Sequence, residues 1–251
     1  MIHERLREVI DGLDIQTDLW WLATVLSGLV CAMLGAFAFP DSGLFWAYLS
    51  VLLRLSLSAC LAKQEWGTVF ARLLPLGVAV GVFSIFPDYL LVQGFKAAQR
   101  VYPSTEARIL ASPLYAPLFW AAAVVELGYV ALRAGGIATK RWAGQTGQGM
   151  AMLFSGAVAA VSAACLEVLA VKARWWSYRQ GNSVIDDALA SHVVAAHFLV
   201  FMGFLPVFSR YAACGGSRLY ATIRYGAVFA GLLFGSVLMA YALFEGLRPS
   251  Y

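Results

Sequence analysis

The chain has 251 residues, of which 61% are hydrophobic and only 13% charged, with a mean hydropathy of +0.74. Charged residues near a quarter are usual in a soluble domain, so that class is excluded, and so is a disordered chain, which lacks this much apolar surface. The net charge of +4 comes from 18 Lys and Arg against 14 Asp and Glu. The basic residues are scattered between apolar runs without interleaved aromatics, so no nucleic acid partner is expected. The partner is the lipid bilayer.

The first 18 residues, with Glu4, Arg5, Arg7, Glu8, Asp11, Asp14 and Asp18, read as an amphipathic stretch lying on the membrane surface and not as a signal peptide. A span takes about 20 apolar residues. Seven candidates follow in chain order, at roughly 19–39, 44–62, 69–92, 114–133, 150–171, 192–210 and 219–244. They define an all-α polytopic bundle, a single seven-helix transmembrane domain over 19–251. The longest loops fall at about 93–112 and 134–149. Lys and Arg are more frequent on the N-terminal side, as at Lys63, Arg72, Lys140, Arg141, Arg210 and Arg218, which predicts a cytoplasmic N-terminus.

Cys31, Cys60, Cys165 and Cys214 are isolated; no zinc spacing and no disulfide framework is signalled. A retinal protein needs a lysine in its last helix, and 219–244 contains none. Asp186, Asp187 and His192 form a polar cluster before the sixth span. Adjacent aspartates on a helix point about 100° apart, so a helix start is the simpler account there than a metal site. No cofactor beyond water is expected.

Ionisable residues inside a membrane are costly and so mark candidate sites. Arg54 and Glu126 fall midway along the second and fourth spans, where an ion pair between helices is one reading. Asp88 and Glu167 lie near the same membrane face, with Arg72 and His197 less deep in their spans. Carboxylic acids buried in apolar surroundings can stay protonated and act as acids at neutral pH. Glu167 is followed by Trp175, Trp176 and Tyr178. Those rings are either an interfacial aromatic belt or π faces that stabilise a carbocation formed when the acid protonates an alkene.

Two stretches carry a resemblance. Residues 113–120 read Pro-Leu-Tyr-Ala-Pro-Leu-Phe-Trp. Glu167, Ala170, Trp176 and Tyr178 keep the spacing of a carboxylate-Pro-x-Ala-x(5)-Trp-x-Trp pattern. Together they resemble the integral membrane carotenoid hydratases of bacteria and archaea, over roughly residues 113–205. Val168 stands where that family has proline, Glu167 where it has Asp, and Asn182 to Asp187 where it has a Tyr-Tyr-Gly-Val-Pro segment. Membrane-bound terpene cyclases are a second kinship, without a quotable motif.

The resemblance implies an enzyme of a bacterial inner membrane acting on a long isoprenoid or polyene lipid, by acid-initiated alkene hydration or cyclisation. Glu167 would donate the proton, and Asp88 or Glu126 would be its partner or the base. Tyr115, Trp120, Trp175, Trp176 and Tyr178 would line the substrate. The alternatives are a non-catalytic lipid- or pigment-binding subunit of a membrane complex, and a small transporter.

Overall fold

A computed structural model describes residues 14–64, 68–90, 100–103, 106–110, 112–142, 144–178, 184–185 and 188–245. The chain is an all-α bundle in which seven helical segments are long and apolar enough to cross a membrane. Helix α1 (Ile15–Met33) runs into a π-helical turn at Leu34–Ala38, and a 3-10 turn at Pro40–Ser42 leads into α2 (Gly43–Ala62). Helices α3 (Thr68–Tyr89), α4 (Tyr115–Arg141) and α5 (Gly144–Lys172) follow. The sixth span is divided into α6 (Ser191–Met202) and α7 (Phe204–Ala213), and α8 (Arg218–Glu245) is the seventh. Pro206 explains the division. It has no N–H to donate to the Met202 carbonyl, so the ladder breaks there and Gly203 forms the joint.

The first helix begins at Ile15, earlier than hydropathy suggests, because Asp14 caps it. The Thr17 amide and hydroxyl donate to Asp14 Oδ1 at 2.7 and 2.6 Å, bonds that hold this carboxyl below its usual pKa. Asp18 then lies inside the spanning helix and not on a surface stretch. Tyr129 donates to Asp18 Oδ1 at 2.6 Å and Arg133 Nε does so at 2.7 Å. Residues 1–13 of the expected amphipathic stretch lie outside the described residues.

The expected loop at 134–149 is a correction of a different kind. Helix α4 continues to Arg141 and α5 starts at Gly144. Ala134, Gly135, Gly136 and Ala138 are buried helix residues, small because they allow neighbouring helices to approach closely, and not because the chain turns there.

Helix α4 is the centre of the bundle, packed on α3, α5 and α2, while α8 closes the far side against α3 and α6. The outer surface carries exposed apolar side chains such as Phe45, Phe86, Val161 and Leu243. This is a face for hydrocarbon and not for water. Contact between α3 and α4 is close at Gly77 and Gly81. A Cβ at either would meet the carbonyl oxygens of Ala121 and Pro117 at 2.5 and 2.3 Å. These two glycines bring the end of α3, which carries Asp88, against the first turns of α4, which carry Tyr115 and Trp120.

Short antiparallel ladders lie on one membrane face, opposite the start of α1. β2 (Arg108–Ile109) pairs with β3 (Ser112–Pro113), and β5 (Val184–Ile185) with β6 (Leu189–Ala190). β1 (Arg100–Val101) pairs with β4 (Ser177–Tyr178), Arg100 opposite Tyr178. This last ladder ties the connection after α3 to the one after α5.

Candidate active site

The chemistry concentrates under that ladder. Helix α5 ends with Arg174 in the left-handed region (φ 58°). The Trp175 amide bonds the Ala170 carbonyl at 2.9 Å, and the Arg174 amide bonds the Val171 carbonyl at 3.0 Å. This pair of bonds is the Schellman ending of a helix, with arginine where glycine is customary. It reverses the chain so that Trp176 and Tyr178 fold back over Glu167, one helical turn from the end of α5. The Trp176 indole N–H donates to Glu167 Oε2 at 3.0 Å, and the Tyr178 hydroxyl donates to the same oxygen.

Left-handed backbone at a residue with a Cβ costs about 1 kcal/mol. The exposed Arg174–Asp41 ion pair, at 2.7 Å, returns less than that. Arg174→Gly is therefore expected to stabilise the protein by about 0.5–1 kcal/mol. A thermal or denaturant melt in detergent checks it, and a lower midpoint would contradict this account of the turn.

Glu167 is 2% exposed and lines a cavity of about 80 Å³ together with Asp88, Arg54, His197, Ser84 and Ser112. Its walls include Tyr102, Tyr115, Phe119, Trp120 and Trp176. A second cavity of about 60 Å³ adjoins it, sharing Ser84, Asp88, Trp120 and His197 and adding His192. Asp88 and Glu167, on α3 and α5, thus face one aromatic chamber. Ser112, on β3, donates to Asp88 Oδ2. His197 stacks on Trp120 with centroids 5.1 Å apart and planes at 12°. Its Nδ1 lies 2.9 Å from the Val193 carbonyl. A carbonyl only accepts, so Nδ1 is the donor in this bond.

Glu126 stands apart from this chamber. Arg54 Nε donates to its Oε1 at 2.6 Å and Arg54 Nη2 donates to its Oε2, with side chains only 11% and 8% exposed. The Trp21 indole donates to the Glu126 carbonyl at 3.0 Å. The pair therefore joins α1, α2 and α4. It places the Arg54 guanidinium 5.7 Å from the Phe119 ring centroid, at the wall of the cavity. Glu126 thus holds Arg54 in place and, unlike Asp88 and Glu167, is not among the residues lining the cavity.

The aromatic residues divide similarly. Tyr115, Trp120 and Trp176 line the cavity. Tyr178 touches the site through its bond to Glu167. Trp175 is fully buried behind Phe119 and Trp176, at centroid distances of 5.2 and 6.2 Å. Its carbonyl accepts from the Tyr115 hydroxyl at 2.5 Å. The burial of Trp175 and Trp176 places both inside the bundle and not in an interfacial belt.

His197, Ser84 and Ser112 also line the chamber. Only His197 carried a signal, as a polar residue within a span. His192 lines the adjoining cavity, while Asp186 and Asp187 lie outside the described residues. Among the described residues no three His, Cys, Asp or Glu side chains come together as a metal ion would require.

No curated protein matches the chain, nor does any solved structure. A family model described as a domain of unknown function, DUF6989, matches residues 85–244. That segment holds Asp88, Ser112, Tyr115, Trp120, Glu167, Trp176, Tyr178 and His197, and it leaves out Arg54. With well over half of its length matched, and nearly the whole chamber inside the match, the chain belongs to the DUF6989 family.

Proposed function

We propose that the protein is an integral membrane enzyme that adds a proton to an alkene at the end of a long isoprenoid or polyene lipid. The resulting cation is then captured by water or by a second double bond. One observation carries the reading: two carboxyl groups, Asp88 and Glu167, line the same aromatic cavity within the bundle.

Glu167 is the donor. Its Oε2 accepts from two N–H and O–H groups, so the proton it carries belongs on Oε1. In the first step the alkene π pair forms a new C–H bond to that proton, the O–H bond breaks, and a tertiary carbocation stands opposite a carboxylate. The Trp120 and Trp176 rings stabilise the cation, and Trp176 and Tyr178 hold the carboxylate oxygen. In hydration, a water oxygen bonds the cation and gives up a proton to Asp88, which returns it to Glu167 through water. In cyclisation, a second π bond attacks, and loss of a neighbouring C–H proton restores the acid.

The volume constrains the substrate. A water needs about 10–15 Å³ by this measure, so 80 Å³ holds on the order of half a dozen waters. That is room for a branched chain end and not for a whole polyene, whose remainder stays in the hydrocarbon. The resemblance of 113–120 and 167–178 to the carotenoid hydratases supports the same substrate class. Total lipid extracts of cells with and without the protein, compared by mass spectrometry, test the reading. A product heavier by one water, or an isomer with a new ring, is expected; identical extracts would remove the enzymatic reading.

A further inference from the structure

A third cavity, of about 320 Å³, opens at the opposite membrane face, between α3, α7 and α8. It is lined by Arg72, Tyr211, Gly215, Gly216 and Arg218. Arg54 takes Glu126, Arg133 takes Asp18 and Arg174 takes Asp41, while Arg141, Arg210 and Arg224 are exposed on the outside of their helices. Among the described residues neither Arg72 nor Arg218 has an acidic partner. Arg72 is half-buried and lies in the second turn of α3, about 6 Å from its start. Its backbone is pinned there, because the Tyr211 hydroxyl donates to the Arg72 carbonyl at 3.3 Å.

Gly215 and Gly216 have nothing within 4 Å of where a Cβ would stand, so the mouth is open. By the same measure of about 10–15 Å³ per water, the space exceeds what a phosphate group and its first hydration shell need.

We infer that this cavity binds a phosphate group, held by the forks of Arg72 and Arg218. Guanidinium suits the planar pair of oxygens that a phosphate presents, and a basic pocket between helix ends sits at the level of phospholipid headgroups. The phosphate belongs either to an anionic phospholipid or to a soluble ion. Arg72 and the chamber's Ser84 stand about 18 Å apart along α3, and the site does not depend on the proposed reaction.

The test uses the full chain in two arms. In one, protein reconstituted in mixed phosphatidylcholine and phosphatidylglycerol bilayers is released into native mass spectrometry, and retained phosphatidylglycerol is counted. In the other, detergent-purified protein is dialysed against radiolabelled inorganic phosphate. Saturable binding in the first arm identifies a headgroup, and saturable binding in the second alone identifies a free ion. In either case Arg72→Gln with Arg218→Gln is expected to weaken binding about tenfold or more. Arg210→Gln with Arg224→Gln, two exposed arginines on the same face that do not line the cavity, leaves it unchanged. No saturable binding in either arm would overturn the inference. Equal losses in the two double variants would do so as well, since they would show only general surface charge.

Discussion

Glu167→Gln is expected to cut turnover by at least about 100-fold while the protein remains folded. The amide keeps the shape of the side chain, and its carbonyl oxygen still accepts from Trp176 and Tyr178, but it has no acidic proton to give. Positioned general acids contribute roughly 10²- to 10⁴-fold to a rate. Because the change is nearly isosteric at a residue 2% exposed, its effect on melting is small. The check pairs a product assay on lipid extracts with a thermal melt in detergent. Full activity with an unchanged melt would reject Glu167 as the donor. Glu167→Asp separates the roles further, since it keeps an acid but withdraws it from Trp176 and Tyr178, and partial activity is expected.

The second large effect concerns folding. Arg54 and Glu126 form a buried pair joined by two hydrogen bonds. Removing one member leaves the other charged in a low-dielectric interior, a loss of about 3–5 kcal/mol. Arg54→Met and Glu126→Leu are each expected to lower the melting midpoint steeply. The double variant, which leaves no buried charge, is expected to recover most of the loss. A double-mutant cycle on thermal melts measures this. Strict additivity of the two losses would show that the groups do not act as a pair. The same cycle bears on function, because Arg54 lines the chamber and Glu126 holds it there. Activity in the double variant is expected to fall even where stability returns.

The spans were legible because hydrophobic length is a one-dimensional property. Seven apolar runs survive any error in packing, and each matches a spanning segment to within a few residues, except where α4 extends to Arg141 and α5 begins at Gly144. That extension was hidden because glycine and alanine at 134–138 lower hydropathy and favour loops in water, whereas in a bundle they allow close packing. The start of α1 was hidden for a related reason. Asp14 and Asp18 look like surface charge until the cap on Thr17 and the bond from Arg133 are seen.

The site was legible in part. Glu167 with Trp176 and Tyr178 could be found because their bonds run within a dozen residues, through a turn that a local pattern encodes. The meeting of Asp88 with Glu167 joins α3 to α5. It depends on Gly77 and Gly81 admitting α4 between them, a relation no spacing announces. His197 reaches the same chamber from α6. Nothing in its neighbourhood marks it apart from its polarity. By sequence Glu126 is either a partner of Glu167 or half of an ion pair with Arg54, and the pairing becomes visible only in the two bonds between them.

Isotope incorporation tests the central claim most directly. Membranes containing the protein, supplied with the cell's own lipid extract in D₂O, are expected to yield a product carrying one deuterium on carbon, delivered from the exchanged Glu167 carboxyl. Membranes with Glu167→Gln are expected to yield none. Product formed at the ordinary rate without carbon-bound deuterium would contradict the account, because no carboxyl proton would then have reached the alkene.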